Sequence, residues 1–173
     1  MDNIIFVGFM GTGKTTVGQA LAKRLSRTLV DVDAKIVEYT GKDIPTIFQE
    51  SGETYFRDTE SAVLQRILQE SGQVVTTGGG AVLRPENVSV MKANGIVVAL
   101  HATEEEIVNR VSLDTGRPLL AGDVAERVRT LMEARRGAYD FADVHIDTTG
   151  KHVDEIVEEI VAAMVENDRF RRN

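Results

Sequence analysis

Runs of apolar residues alternate along the chain with stretches whose apolar positions recur every three or four residues, which predicts strands alternating with helices. Ile4-Ile5-Phe6-Val7 is apolar without interruption, as in a strand covered on both faces of a parallel sheet. Val17, Leu21 and Leu25 then mark a helix, and Leu29-Val30-Asp31-Val32-Asp33 reads as a second strand. A helix from Ala34 to Tyr39 is stopped by Gly41; Asp43 and Pro45 open a short helix to Glu50, which Gly52 breaks. Thr54 is the expected cap of the next helix, with Phe56, Val63, Leu64 and Ile67 on its apolar stripe. Val74-Val75-Thr76-Thr77 is a third strand, Pro85 opens a helix ending near Asn94-Gly95, and Ile96 to Leu100 is a fourth strand. Thr103 and Glu106 form a capping-box start for a helix to about Ser112. After an irregular stretch from Leu113 to Gly122, Asp123 caps a helix striped by Val124, Val128 and Leu131. Val144 to Asp147 is a fifth strand, and Val153, Ile156, Val157, Ile160 and Met164 give the cleanest helical period. The alternation predicts an α/β three-layer domain with a five-stranded parallel sheet flanked by helices.

At 173 residues the chain suits one full core, so residues 1–173 are expected to form a single domain. A net charge of −7 speaks against a general grip on nucleic acid, and any anion site must be local. The absence of cysteine removes disulfides and thiolate metal sites. His101, His145 and His152 have no metal-ligand spacing and read as structural. A strand starting by about residue 3 leaves no room for a signal peptide, and no apolar run approaches the ~18 residues that span a bilayer. The expectation is a cytoplasmic protein, monomeric, with neither nucleic acid nor membrane as partner. The basic tail, Arg169 to Arg172, is expected to fray.

Between the first strand and first helix lies Gly8-Phe9-Met10-Gly11-Thr12-Gly13-Lys14-Thr15, which fits the phosphate-loop pattern at every fixed position. Four constrained positions coincide by chance in on the order of one in a hundred chains of this length. Backbone N–H groups of such a loop (8–15), including those of Gly11, Thr12, Gly13 and Thr16, converge on phosphate oxygens; Lys14 reaches the β/γ-phosphates and Thr15 offers a hydroxyl to Mg²⁺. Alternation along an extended second strand would set Asp31 and Asp33 on one face, although either residue equally suits a helix cap. Arg57 and Glu60, three apart on a helix, would as a surface ion pair be worth less than ~1 kcal/mol. Gly78-Gly79-Gly80 suits close ligand approach or a tight corner. Arg117, in the irregular stretch, suits either a closing lid (about 112–123) or an ordinary loop. Arg135 continues the inward stripe of its helix, where a guanidinium needs an anion or a route to water.

A phosphate loop opening such a domain indicates a nucleoside triphosphate with Mg²⁺ and phosphoryl transfer, with Lys14 and Arg117 as candidate positive charges, and two further arginines with a carboxylate suit a small hydroxylated acid as acceptor. From end to end the chain resembles shikimate kinases: the phosphate loop, Asp31-x-Asp33, Gly52-Glu53 followed by Phe56-Arg57 and Glu60, Gly78-Gly79-Gly80, Arg117-Pro118-Leu119-Leu120, and Arg135 followed by Tyr139. The resemblance implies a P-loop NTPase fold, nucleoside monophosphate kinase-like, and ATP-dependent phosphorylation of the 3-hydroxyl of shikimate in chorismate and aromatic amino-acid biosynthesis. By the same resemblance Lys14 and Thr15 bind ATP phosphates and Mg²⁺, and Asp31 holds the metal through water. Asp33 binds the acceptor hydroxyls and takes a proton, within a substrate-binding region of about 31–60. Arg57 and Arg135 clamp the carboxylate beside Gly79 and Gly80, Arg117 comes onto the phosphates, and Arg110 and Lys151 lie on the adenine side. Two departures stand out: Val37 followed by Glu38 where many members have glutamate four residues after the second aspartate, and Thr76 where serine is usual. A kinase of another hydroxy acid such as gluconate, and a non-catalytic nucleotide switch, are the competing readings.

Overall fold

The computed structural model describes residues 2–113 and 123–167. The apolar runs become strands β1 (Asn3–Gly8), β2 (Leu29–Asp31), β3 (Val74–Thr76), β4 (Gly95–His101) and β5 (Val144–Asp147). Among the described residues they form one five-stranded parallel sheet in the order β2-β3-β1-β4-β5. Side chains alternate across β1: Ile5 and Val7 enter one core cluster, Ile4 and Phe6 the other. Both faces are therefore covered, which is why the run carries no polar position. Helices α1 (Lys14–Leu25) and α7 (Val153–Glu166) pack on the Ile4/Phe6 face through Val17, Leu21, Ile156 and Ile160. Helices α2 (Val32–Thr40), α3 (Ile44–Ile67), α4 (Pro85–Asn94), α5 (Glu104–Ser112) and α6 (Val124–Ala134) supply the other cluster, with Ile36, Ile47, Phe56, Met91, Ile107 and Val128.

Three local expectations are corrected. The second strand ends at Asp31, because the Asp31 carboxylate accepts from the Ala34 N–H at 2.8 Å and caps α2. Asp33 thus lies in the first helical turn, and strand alternation does not relate the two aspartates. Gly52 (φ 81°, ψ 172°) is non-helical and breaks α3 into two helical segments as expected, but the second starts directly after it, so Thr54 falls inside that segment and is not its cap. The Arg57–Glu60 pair is not a surface pair: Nη1 and Oε1 are 2.8 Å apart, with side-chain exposures of 15% and 1%. The capping and stop signals at Gly41, Asp43, Thr103 and Asp123 appear where expected.

The strand order sets β1 beside β3, and the connections leaving these two strands run in opposite directions across the sheet, β1 toward β2 and β3 toward β4. The crevice at the C-terminal edge beside β1 and β3 is where such sheets bind ligands. Thr77 fastens it, with N–H and Oγ1 donating to Phe6 O at 3.3 and 2.8 Å. At the edge of β4 and β5, His101 Nε2 and His145 Nδ1 are 2.9 Å apart. Their rings lie within 18° of coplanar with centroids 5.2 Å apart, an end-to-end bond in which one ring nitrogen donates its N–H to the lone pair of the other. That geometry suits a structural role, and no cluster of metal-ligating groups occurs among the described residues. No described helix is long and apolar enough to cross a membrane.

Candidate active site

The phosphate loop crosses from β1 to α1 through Gly13, at φ 99° and ψ 17°, a left-handed conformation that glycine adopts without a Cβ penalty. Helix α1 has neither a capping side chain nor an acidic residue in its first turn, so its leading N–H groups remain for an anion. Lys14 Nζ donates to Gly8 O at 2.7 Å and Phe9 O at 2.9 Å, which holds the ammonium across the loop. Thr12 Oγ1 donates to Phe9 O at 2.8 Å from a buried position. A cavity of about 550 Å³ opens over this loop, lined among others by Gly11, Gly13, Lys14, Thr15, Thr16, Asp31, Asp33, Gly79 and Arg110. All the phosphate-loop candidates except buried Thr12 thus meet one cavity.

The two aspartates differ in kind. Both oxygens of Asp31 are engaged, Oδ1 by the Ala34 N–H and Oδ2 by Thr76 Oγ1 at 2.7 Å, across the Asp31–Thr76 register of β2 and β3. Hard oxygen donors at Thr15 and Asp31 fit a divalent cation, and the two bonds already on Asp31 suit contact through water. Asp33 Oδ1 is buried with no hydrogen-bond partner among the described residues. Burial, then the charges of Asp31 and Glu60, push the Asp33 carboxyl up to about 6, against the pull of Lys14 and Arg57. A carboxylate that lines the cavity and has an oxygen short of a donor suits an incoming hydroxyl.

A second cavity of about 670 Å³ shares Met10 and Phe48 with the first and is lined by Arg57 and Arg135. Arg135 is the residue that ends α6, and its guanidinium lies over the Phe9 ring at 5.5 Å. The glycines bring the arginines close: a Cβ on Gly79 would stand 3.0 Å from Arg135 Nη1, and one on Gly80 would stand 2.4 Å from Arg57 Nη2. Tyr139 donates to Gly79 O at 2.8 Å and fixes the strip between them. Burial raises the Glu60 carboxyl, and the Arg57 guanidinium beside it pulls the other way. Arg57 and Arg135, 78 positions apart in the chain, therefore wall one cavity.

On the other side, Arg110 reaches from α5 to Gly11 O at 2.9 Å and is held by Glu106 at 2.8 Å. Lys151 pairs with Glu159 at 2.8 Å and does not line either cleft cavity. Arg117 lies outside the described residues. Sequence reasoning gave no role to Phe48, which lines both cavities, or to Thr148, which is buried and donates to Thr12 O at 2.9 Å. Phe48 offered only an apolar helix position as signal; Thr148 offered none.

The arrangement sets the glycine-rich loop and the Asp33 carboxylate on one cavity and the Arg57 and Arg135 guanidinium groups on the adjoining one. A family model described as shikimate kinase matches residues 10–165. The shikimate kinase of Pelotomaculum thermopropionicum is 43% identical over 169 residues, covering 97% of this chain and 98% of its own. The structure of shikimate kinase from Acinetobacter baumannii in complex with shikimate superposes with a TM-score of 0.91 at 36% identity, covering 96% of this chain and 94% of that one. A gluconokinase from Sinorhizobium meliloti reaches a TM-score of 0.69 at 21% identity, over 99% of this chain and 98% of its own, a likeness of fold alone.

Proposed function

The chain belongs to the shikimate kinase family, and from that premise we propose that it transfers the γ-phosphoryl group of ATP to the 3-hydroxyl of shikimate, yielding shikimate 3-phosphate and ADP. The observation that carries the reading is the meeting of Arg57 and Arg135 on one cavity contiguous with the phosphate-loop cavity. Two guanidinium groups suit a carboxylate, and the adjoining cavity, lined by Asp33, is where the hydroxyls of the same molecule would lie. A gluconate kinase would not need two arginines converging on a ring carboxylate, and the gluconokinase likeness extends to fold only.

In the reaction the acceptor oxygen bonds to the γ-phosphorus, the bond from that phosphorus to the bridging oxygen breaks, and the acceptor proton passes to the Asp33 carboxylate. Asp33 suits this because its raised affinity for protons favours uptake while it stays largely ionised at neutral pH. Lys14 meets negative charge on the β/γ-phosphates, and the backbone of residues 11–16 fixes their position. Thr15 and Asp31 would hold Mg²⁺, which would add positive charge beside the phosphates. Arg57, oriented by Glu60, and Arg135 hold the acceptor by its non-reacting carboxylate beside Gly79 and Gly80. Arg117 belongs to the same proposal as a lid residue on the phosphates, and Arg110 and Lys151 as adenine-side groups. The chain acts as a monomer on small molecules.

A coupled assay with MgATP and a panel of hydroxy acids tests the proposal. ADP release stimulated by shikimate is expected. Turnover of gluconate with none of shikimate would refute the substrate, and tight MgATP binding with no acceptor-stimulated turnover would favour a switch.

A further inference from the structure

A phosphate loop works only if its N–H groups face inward, and an isolated glycine-rich loop has no reason to keep them so. Because a trans peptide points its C=O and the following N–H in opposite directions, whatever holds a loop carbonyl outward aims the next N–H inward. Side chains hold four carbonyls of this loop, Gly8 O among them through Lys14 Nζ at 2.7 Å. Phe9 O accepts from Thr12 Oγ1 and Lys14 Nζ, within the loop itself. Gly11 O accepts from Arg110 Nη1 at 2.9 Å, and Thr12 O accepts from Thr148 Oγ1 at 2.9 Å, both from outside it. The N–H groups set by the last two belong to Thr12 and Gly13.

Thr148 follows β5 directly and is 1% exposed. Its N–H donates to His101 O at 2.8 Å, which continues the sheet one step beyond the β4–β5 ladder. Its hydroxyl lies 2.9 Å from Thr12 O and 3.0 Å from His101 O, and it receives Arg110 Nη1 at 3.4 Å, while Thr148 O receives Arg110 Nη2 at 3.4 Å. Since the backbone N–H already serves His101 O, the single hydroxyl proton is of most use on Thr12 O. One buried side chain thus joins three separate segments: the phosphate loop, the end of β4 and the arginine of α5.

We infer that Thr148 is a positioning residue for phosphate binding: its hydroxyl, with Arg110, clamps the outer carbonyls of the loop so that the Thr12 and Gly13 N–H groups are aimed at polyphosphate before it arrives. It touches no reacting atom and acts through the loop backbone. The inference rests on the nucleotide reading of the site. It also separates two ways in which the segment after β5 can matter, through adenine or through the phosphate cradle, because a clamp on the cradle acts on any polyphosphate.

Calorimetric titration of the whole chain with MgADP and, separately, with inorganic tripolyphosphate tests it in wild type, Thr148→Val and Thr148→Ser. Valine keeps the shape and removes the donor; serine keeps the donor. The expected result is a loss of about tenfold in affinity for both ligands in Thr148→Val, and affinity within about threefold of wild type in Thr148→Ser. Equal tripolyphosphate affinity in Thr148→Val and wild type, or loss of ADP affinity alone, overturns the clamp and leaves the nucleotide site standing. Equal losses in the serine and valine variants overturn it too. Wild-type protein that binds neither ligand overturns the nucleotide reading and the clamp with it. If Thr148→Val does not fold, Thr148→Ala against Thr148→Ser carries the same comparison with the same outcomes.

Discussion

Replacing Asp33 with asparagine should make the ligand-free protein more stable while stopping its chemistry. In the folded chain the Asp33 carboxyl is pushed from 3.8 to about 6, by burial first and then by Asp31 and Glu60. At 1.36 kcal/mol per pH unit, holding it ionised above pH 7 costs up to about 3 kcal/mol. Asparagine removes that cost and forfeits the attraction between an anion and the start of α2, about 0.3–1 kcal/mol. The cost is larger, so a net gain of about 1–3 kcal/mol is expected at pH 8. The pH dependence has a definite sign. Between 3.8 and about 6 the folded state binds the proton and the unfolded state does not, so this group's contribution to wild-type stability grows as pH falls through that window. The advantage of Asp33→Asn should therefore be full at pH 8, smaller at pH 6 and close to nothing near pH 4. Urea unfolding with EDTA present and no nucleotide measures it, read as a midpoint shift at constant slope. An asparagine variant no more stable than wild type at pH 8, or equally advantaged at every pH, would show that the cleft does not strain this carboxylate.

The same contacts fix three other outcomes. Gly80→Ala puts a Cβ 2.4 Å from Arg57 Nη2 while Glu60 holds that guanidinium, so the acceptor KM should rise by about tenfold or more with little change in the ATP KM; an unchanged acceptor KM in steady-state assays would refute the contact. Arg135→Ala should raise the acceptor KM by about 10- to 100-fold, whereas Lys14→Ala should lower kcat by at least about 100-fold, and the reverse pattern would exchange the two roles. Gly18→Ala sets a Cβ 2.6 Å from Thr76 Cγ2, an overpacking of about 1–3 kcal/mol that exceeds the ~1 kcal/mol of helix propensity gained; in a Thr76→Ser background the sign should reverse, and additive effects in a urea double-mutant cycle would exclude the clash.

What could be read from the sequence was what local periodicity and motif spacing encode. The buried strands were legible because Ile4 to Val7 and Ile96 to Leu100 carry no polar position, and both are 0% exposed. The phosphate loop was legible because its chemistry is contiguous. The boundary at Asp31 was not, because an aspartate that ends a strand and one that caps a helix look alike until the Ala34 N–H is seen to choose. The pairing of Arg57 with Glu60 follows from helical spacing, but its burial depends on β3, α3 and the glycine strip meeting, which no local pattern states. Thr148 was silent for the same reason, since its partners at positions 12, 101 and 110 become neighbours only through the strand order.

That division has a physical cause that also locates the site. Buried polar atoms normally find partners, and folding alone would select against those that do not. Asp33 Oδ1, Arg57 Nε and Glu60 Oε2 are buried without hydrogen-bond partners among the described residues, and all three belong to side chains gathered around Gly78 and Gly80. Two acceptors and a donor left unsatisfied in one place are costly for an empty domain. They become an asset when a ligand brings hydroxyls to the acceptors and a carboxylate to the guanidinium. The stability forgone at Asp33 and the affinity gained for a hydroxylated acid are then two readings of the same electrostatic strain. Binding of acceptor should accordingly raise the thermal midpoint of wild type more than that of Asp33→Asn.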